Sequence, residues 1–400
     1  MAQLFCAAVG LVLGLLAPRF PVGPRVDAER VVSLLFTVGF GVISLVSIIY
    51  SMLFLVVQFS ASTFTPRLGL FREEPIVWRA FAFTVGVFVF TITAAMAIGA
   101  DRSVSVFVPC AAMVLTLVAL ALMRTLQARA FTSIQLGHSL TAIGARAHRL
   151  FDTLYVAPYT APYDAAREAR DAARYEGGAG AGVPVVPPGA ASVSWSGPAS
   201  VLQQIDVPAL VAAARAHGCG IVFRVAPGAT LTWGAELAVV TGGELPEAEL
   251  RGALTTGVER TFDQDPELAF RLLVDIALRA LSTAVNDPAT AVEALDRVED
   301  LLTRLAGRDL DIGRFTDAGG RWHVVVPVPD WERYVRTCVD DLLPAAAGSP
   351  MALGRMRDLL RVLADRAPED RRPALRDRLG WVERTGGDTY PLIWTSPRPR

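Results

Sequence analysis

The sequence predicts an α-helical membrane protein, with four transmembrane helices followed by a cytoplasmic α/β domain and C-terminal helices. Three observations predict it. Hydrophobic residues make up 52% of the 400-residue chain and mean hydropathy is +0.40, too apolar for an ordinary soluble enzyme. The excess is concentrated in the first third, where uncharged runs reach the ~20 residues that a bilayer core requires. Beyond residue 190, short alternating runs and Asp-Pro helix starts replace them.

Residues 2–17 are uncharged and lack the preceding Arg of a cleaved leader, so they read as a short first span, with a signal peptide as the minority reading. The second span, 31–61, belongs to a charge-free stretch from Val31 to Pro66. As a helix it is about 46 Å long, well beyond the hydrocarbon thickness, and must tilt or protrude. Down one side run Thr37, Ser44, Ser51, Gln58 and Thr65 at seven-residue steps, with Ser47 and Ser62 alongside. The third span is 80–100 and the fourth 103–123, joined by Asp101-Arg102. Loops after spans two and four carry Arg67, Arg72, Arg79, Arg124, Arg129, Arg146 and Arg149, against Arg19, Arg25, Arg30 and Arg102 opposite. This excess puts both termini on the cytoplasmic side of a bacterial inner membrane.

Residues 126–175 continue out of the membrane as a helical extension, and 176–191 (EGGAGAGVPVVPPGAA) form a Gly/Pro linker. The α/β domain then occupies 192–345. It opens with strand-like 192–205, a helix capped by Asp206, a strand at 220–225 and a turn at Pro227-Gly228. Short strands surround Gly234, 321–328 forms one more, and Asp330 caps a helix carrying Trp331, Tyr334 and Cys338. The tail, 346–400, is helical and interrupted near Pro368.

Polar groups converge most densely in a helical hairpin at 262–305. Asp265-Pro266 and Asp287-Pro288 each read as a helix start, because Asp caps free backbone N–H groups and Pro fits the first turn. One face of the first helix carries Leu272, Leu273, Ile276, Ala277 and Ala280; another carries Arg271, Asp275 and Arg279 at four-residue steps. These three, with Asn286 and Asp287 at the corner, are the candidate binding residues for a small anion. The same row also reads as an exposed ion-pair face, and both aspartates as caps. Asp263-x-Asp265 has the chemistry to hold a hard cation, set against a capping role for Asp265.

Several function classes are excluded. All 38 basic residues are Arg and the net charge is −1, so no basic field marks a nucleic-acid partner. The four cysteines lie far apart and the four histidines share no ligand spacing, so neither disulfide framework nor metal site is indicated. No phosphate loop, dinucleotide fingerprint, nucleophile elbow or zinc-protease motif occurs. No catalytic residue and no cofactor are therefore assigned, and the expectation leans away from an enzyme.

The pattern FDQDP…LLVDIALRALS…NDP.TA at 262–291 resembles the signature of a bacterial family of predicted membrane proteins, a domain of unknown function. Gln58 to Phe64, Pro66, Arg67, Gln203, Ile205, Asp206, Arg224, Pro227, Gly228 and Gly234 are similar too. Departures are Thr283 where the family usually has Pro, Thr63 where it often has Gln, and Ser200-Val201 where Gly-Tyr is common. The resemblance implies an integral inner-membrane protein with a cytoplasmic domain and brings no established activity.

Two functional expectations follow. In the first, Thr37, Ser44, Ser47, Ser51, Gln58 and Ser62 line a polar path in a channel-like or transport-like homo-oligomer, which the cytoplasmic domain gates or assembles. Helix packing is the competing account of the same stripe. The spans hold no Asp, Glu, Lys, Arg or His, which counts against ion-coupled transport more than against a passive channel. In the second, the protein is a membrane-anchored sensor or scaffold whose hairpin binds an anionic ligand or a partner protein.

Overall fold

A computed structural model describes residues 2–20, 23–63, 75–99, 102–134, 136–159, 190–316 and 322–394. The chain is mostly helical, with four candidate membrane helices near its N-terminus and a sheet-containing C-terminal region. It divides into two compact units, Met1–Ser139 and Leu140–Arg400.

The first unit holds α1 (Ala2–Leu16), α2 (Ala28–Thr63), α3 (Pro75–Ile98) and α4 (Phe107–Ile134). Each is long and apolar enough to cross a membrane. The hydropathy pattern starts the fourth span at Ser103, but Ser103–Ser105 form a strand, β2, paired antiparallel with β1 (Arg25–Asp27). The helix begins only at Phe107, where Ser105 Oγ accepts from the Phe107 N–H at 3.2 Å. The loops on either side of the α2–α3 pair thus meet as a two-stranded ribbon at one end of the unit.

The centre of this unit is α3, which packs against α1, α2 and α4. It buries Ala80, Thr84, Val87, Phe90, Thr91, Ala94 and Ile98. Glycine makes the α1–α3 approach possible. A Cβ on Gly86 would lie 2.9 Å from Cys6 O, and one on Gly10 would lie 3.1 Å from Gly86 C. Apolar attraction between helices vanishes in lipid, so close backbone contact supplies the packing instead.

The second unit begins at Leu140, inside α5 (Leu136–Leu154), which buries Leu140, Ile143, Ala147, Leu150 and Phe151. Its chain partners continue past it, with Tyr159 N–H donating to Gly307 O and Asp309 N–H to Ala157 O, both at 2.9 Å. The expected linker at 176–191 lies outside the described residues up to Gly189, as does the extension beyond Tyr159. The division between the two compact units falls in sequence between residues 139 and 140, ahead of that linker.

Two sheets follow. The first has the order β3 (Ala191–Ser194), β7 (Glu236–Thr241), β5 (Gly220–Phe223), β10 (Trp322–Val325) and β9 (Arg314–Thr316). Only the β5–β10 pair is parallel. The second has β6 (Thr230–Leu231), β4 (Ser200–Ile205) and β8 (Leu254–Gly257), all antiparallel. The anticipated strand at 192–205 is two strands, because Gly197-Pro198 turn the chain between β3 and β4. Asp206 caps α6 (Val207–Ala216), its Oδ1 accepting from Ala209 N–H at 3.1 Å. Helices α6 and α7 (Glu247–Gly252) cover a core of Leu202, Leu210, Ile221, Phe223, Leu237, Leu250 and Val324.

The helical half contains α8 (Leu268–Ala280), α9 (Pro288–Ala306), α10 (Trp331–Val335), α11 (Leu343–Ala347), α12 (Pro350–Arg366), α13 (Arg372–Thr389) and α14 (Pro391–Trp394). α9 packs on α8 and α12, and α12 on α13. The break between α12 and α13 falls at Ala367-Pro368, where proline cannot continue the helix. Arg371, 7% exposed, closes the C-terminal end of α9. Its guanidinium donates to Leu305 O and Ala306 O at 2.9 Å and to Arg308 O at 3.1 Å. The last carbonyls of a helix lack the i+4 donor, and here a buried arginine supplies donors where water otherwise would, beside the Arg308 N–H that also reaches Leu305 O at 3.0 Å.

Candidate functional site

The two candidate regions lie in different units, and each is built here on its own. In the first unit, α2 is 36 residues long, about 54 Å at ~1.5 Å per residue. Its polar stripe faces away from the other helices. Thr37, Ser44, Ser47, Ser51 and Gln58 are exposed, as is Gly41, whose missing Cβ opens onto empty space. The side chain of Ser62 and all of Thr65 lie outside the described residues. Each hydroxyl satisfies its proton within the helix: Thr37 donates to Ser33 O at 2.8 Å, Ser44 to Phe40 O at 2.7 Å, Ser47 to Ile43 O at 3.1 Å and Ser51 to Ser47 O at 2.9 Å. Such bonding leaves hydroxyl lone pairs directed outward and free to accept. The equivalent hydroxyls of α3, Thr84 and Thr91, are buried. Two stripes of one chemistry thus have opposite placements, one inside the unit and one on its surface.

In the second unit, the hairpin residues divide into two places. Arg271, half-buried, donates through Nη1 to Asp341 Oδ2 at 2.6 Å, a partner on another element. Asp275 is half-buried and engaged. Arg279 sits at the far end of α8, about 12 Å along the axis from Arg271, and its Nε is buried with no hydrogen-bond partner. Asn286 and Asp287 are on the same corner as Arg279, since Asp287 N–H donates to Ala280 O at 2.8 Å. Asn286 has φ +49°, the left-handed conformation that Asn tolerates better than most side chains. Asp287 is a cap: Oδ1 accepts from Thr290 N–H at 3.2 Å and Oδ2 from Thr290 Oγ1 at 2.6 Å. These bonds hold its carboxyl below the usual range.

Asp263 and Asp265 do not face one site. Asp263 is exposed, while Asp265 is 2% exposed and turned inward. Asp265 Oδ1 caps the first turn leading into α8 by accepting from Leu268 N–H at 3.2 Å. Arg260 grips the same carboxylate at both oxygens, Nε to Oδ2 at 2.5 Å and Nη2 to Oδ1 at 2.8 Å. Gly228, with φ +90°, lies against this pair. A Cβ there would overlap Oδ2 and come within 2.7 Å of Asp265 Cγ.

Two residues on, Glu267 is buried and holds Arg333, whose Nη2 donates at 2.9 Å, and Thr337, whose Oγ1 donates at 2.7 Å. Thr337 reaches it from a single π-helical stretch, Arg336–Asp340, that continues α10. There Thr337 is 3% exposed. Burial opposes ionisation of Glu267, but the hydrogen bonds from Arg333 and Thr337 outweigh it and keep the carboxyl below the ordinary range. Beside this cluster the hydroxyls of Tyr155 and Tyr334 meet at 2.7 Å, both phenols pushed up by burial. Phe270 stacks on Phe151 and meets the Tyr334 ring at a tilt of 56°.

Gln264 completes the FDQDP segment by joining it to the sheet. Its Oε1 accepts from Ile205 N–H at 2.9 Å and its Nε2 donates to Ile205 O at 3.1 Å. The side-chain amide thus pairs with β4 as a neighbouring strand would. The motif therefore fastens sheet to helices and fills its own centre with charge. Arg260, Glu267, Arg333, Thr337, Tyr155 and Tyr334 escape a reading by spacing; the one local signal is Gly228, a glycine after a proline at a turn. Among the described residues, no three His, Cys, Asp or Glu side chains are grouped to hold a metal ion.

Four helices apolar enough to cross a membrane, followed by a sheet-containing C-terminal unit, define a class: a predicted membrane protein with an appended sheet-containing unit. The chain belongs to the family described as "Predicted membrane protein (DUF2254)", which residues 1–362 match. It is 27% identical over 410 residues to the uncharacterized protein Rv1290c of Mycobacterium tuberculosis, covering 95% of this chain and 74% of that one. The uncharacterized protein Mb1321c of Mycobacterium bovis matches with the same identity and the same coverage. No solved structure matches the chain.

Proposed function

We propose that this membrane protein is a channel-like or transport-like homo-oligomer of the bacterial inner membrane, with both termini cytoplasmic. Several copies of α2 turn Thr37, Ser44, Ser47, Ser51, Gln58 and Ser62 towards one another and line a polar path, and the C-terminal unit gates or assembles them. The observation that carries the reading is the outward placement of the α2 stripe beside the buried Thr84 and Thr91. Small side chains and Gly41 allow helices of neighbouring copies to approach closely, and the free hydroxyl lone pairs suit a partly dehydrated ion or small polar solute. The test is conductance of full-length protein in planar bilayers, combined with disulfide trapping of Ser44→Cys after Cys6 and Cys110 are replaced. Trapped multimers and a conductance reduced by Ser51→Leu support the reading. Absence of flux under every gating condition, from a species that stays a single copy in lipid, overturns it.

A second reading is favoured by the buried, unpartnered Nε of Arg279 at the hairpin corner. In it, the protein is a membrane-anchored sensor or scaffold whose corner at Arg279, Asn286 and Asp287 takes an anionic ligand or partner. Inorganic phosphate would then raise the unfolding temperature of the full chain and of Ser51→Leu but leave Arg279→Ala unmoved. Equal responses in all three dismiss it.

A further inference from the structure

At about 54 Å, α2 is longer than the ~30 Å hydrocarbon core of a bilayer, and contacts inside the first unit show at which end the excess lies. α2 and α3 run antiparallel, with Phe40 near Phe88 and Tyr50 near Phe81, ring centroids 6.4 and 6.2 Å apart. Val46, Ala80, Met123 and Leu126 form one buried cluster. Tyr50, Arg79 and Arg124 each lie within about one turn of a member of it, so they stand at one level of the unit. At the opposite end Ala17, Ala28, Ile98, Val104 and Val108 share another buried cluster. Arg19, Arg30 and Arg102 are each two positions from a member of that cluster, and all three are exposed. Between the two levels the rise is about 29 Å from Arg79 to Ile98 and about 30 Å from Arg30 to Tyr50, at ~1.5 Å per residue. Both match the hydrocarbon core. Ser51–Thr63 then extends α2 about 20 Å past the Tyr50 level.

That level carries charge of one sign. Arg79 is the sole charged residue of α3, Arg124 and Arg129 are the sole charged residues of α4, and α2 has none after Arg30. Arg79 and Arg124 are exposed, and neither guanidinium has an ion pair or hydrogen bond among the described residues. Tyr50, 60% exposed, adds a ring with a polar tip, the side chain that suits a boundary between hydrocarbon and water. On the hydrocarbon side of this level the surface is apolar, with Phe5, Leu117 and Leu120 exposed. A guanidinium free of carboxylates binds a phosphate through paired N–H donors. An acidic protein would meet the same charge but leave the apolar surface beside it in water. An anionic phospholipid answers both, its phosphate on the arginines and its chains on the apolar helices.

We propose that Arg79, Arg124 and Tyr50 form a headgroup girdle that takes the phosphates of anionic phospholipids, and that the hydrocarbon ends there, leaving the last part of α2 outside it. This does not depend on the channel reading. The lipid arm is native mass spectrometry of the full-length protein from micelles holding equal phosphatidylglycerol and phosphatidylcholine. The expected result is an excess of bound phosphatidylglycerol that falls by about half or more in Arg79→Gln/Arg124→Gln. Arg79→Lys/Arg124→Lys, which keeps the charge, retains the excess, as does Arg376→Gln/Arg384→Gln, which removes two exposed arginines of the second unit. The depth arm places spin labels at Gln58→Cys and Leu117→Cys in full-length protein lacking Cys6 and Cys110, in phosphatidylglycerol nanodiscs. The Gln58 label should be about threefold or more accessible to a water-soluble nickel reagent relative to Leu117, whose label favours oxygen. An excess of phosphatidylglycerol unchanged by Arg79→Gln/Arg124→Gln, or equally reduced by Arg376→Gln/Arg384→Gln, overturns the proposal. So does a Gln58 label as shielded from nickel as the Leu117 label, which places the boundary further along α2.

Discussion

Replacing Gly228 by alanine attacks the point where a loop of the sheet meets the FDQDP segment. Two effects add. At φ +90° an L side chain costs about 1–2 kcal/mol. The new methyl would also stand 3.0 Å from Arg260 Nε and overlap Asp265 Oδ2, so it must push apart an ion pair whose acid is 2% exposed. Separating a buried pair leaves an uncompensated charge and costs about 3–5 kcal/mol. The sum is about 4–7 kcal/mol, a large share of the ~5–15 kcal/mol that holds a typical domain. The assay is denaturant unfolding of the full chain in detergent, followed by the tryptophans of the second unit. Gly252→Ala, where a Cβ meets open space, is the control and should change stability by less than ~1 kcal/mol. If the clash acts through Asp265, then Asp265→Ala should cost much less in the Gly228→Ala background than alone. A Gly228→Ala protein within ~1 kcal/mol of the parent, or strict additivity with Asp265→Ala, would refute the reasoning.

Three further outcomes are expected. Gln264→Ala removes both bonds to Ile205 and leaves the strand's N–H and C=O half-buried, so unfolding stability should fall by about 2–3 kcal/mol, while Gln264→Glu, which keeps only the acceptor, should fall between; equal losses would show that the amide pairing is unimportant. Glu267, held below its ordinary value of 4.5, contributes stability that is fully present above that value and is lost as pH falls through the lower folded-state value; Glu267→Gln should flatten this acid limb, and an unchanged limb in urea melts between neutral and acid pH would count against it. Gly86→Leu should separate α1 from α3, seen as lost thermal resistance of the detergent-solubilised protein, whereas Gly41→Leu, facing open space within the unit, should leave single-copy stability unchanged.

What was legible in the sequence was local. Asp206, Asp287 and Asp330 announce their helices because capping is decided within three residues, and each accepts the backbone N–H that its position implies. The apolar spans are legible by length alone. The Arg260–Asp265 clamp is not, because the partners stand five positions apart in irregular chain and no helical spacing relates them. Glu267 meets Thr337 across 70 positions, a pairing that only the fold creates, and the π-helical stretch that carries Thr337 leaves no compositional trace. The candidate row Arg271, Asp275 and Arg279 looked like one surface, yet Arg271 is drawn to Asp341 on a separate element. Gly10 and Gly86 are unremarkable in apolar runs until two backbones are laid together.

The seating of α5 sets where this protein can be cut. Phe151 and Tyr155 are 2% and 0% exposed, packed on Phe270 and Tyr334, and Arg308 holds the same segment through Tyr155 O at 2.6 Å and Asp152 at 3.0 Å. A soluble fragment begun at the Gly/Pro stretch, the obvious choice from sequence, would leave an aromatic trough open to water and an arginine without its acceptors. One begun near Leu136 would carry its own lid. During synthesis the same order holds: α5 has left the ribosome before any strand of the sheets that follow, and waits for a core that arrives more than a hundred residues later.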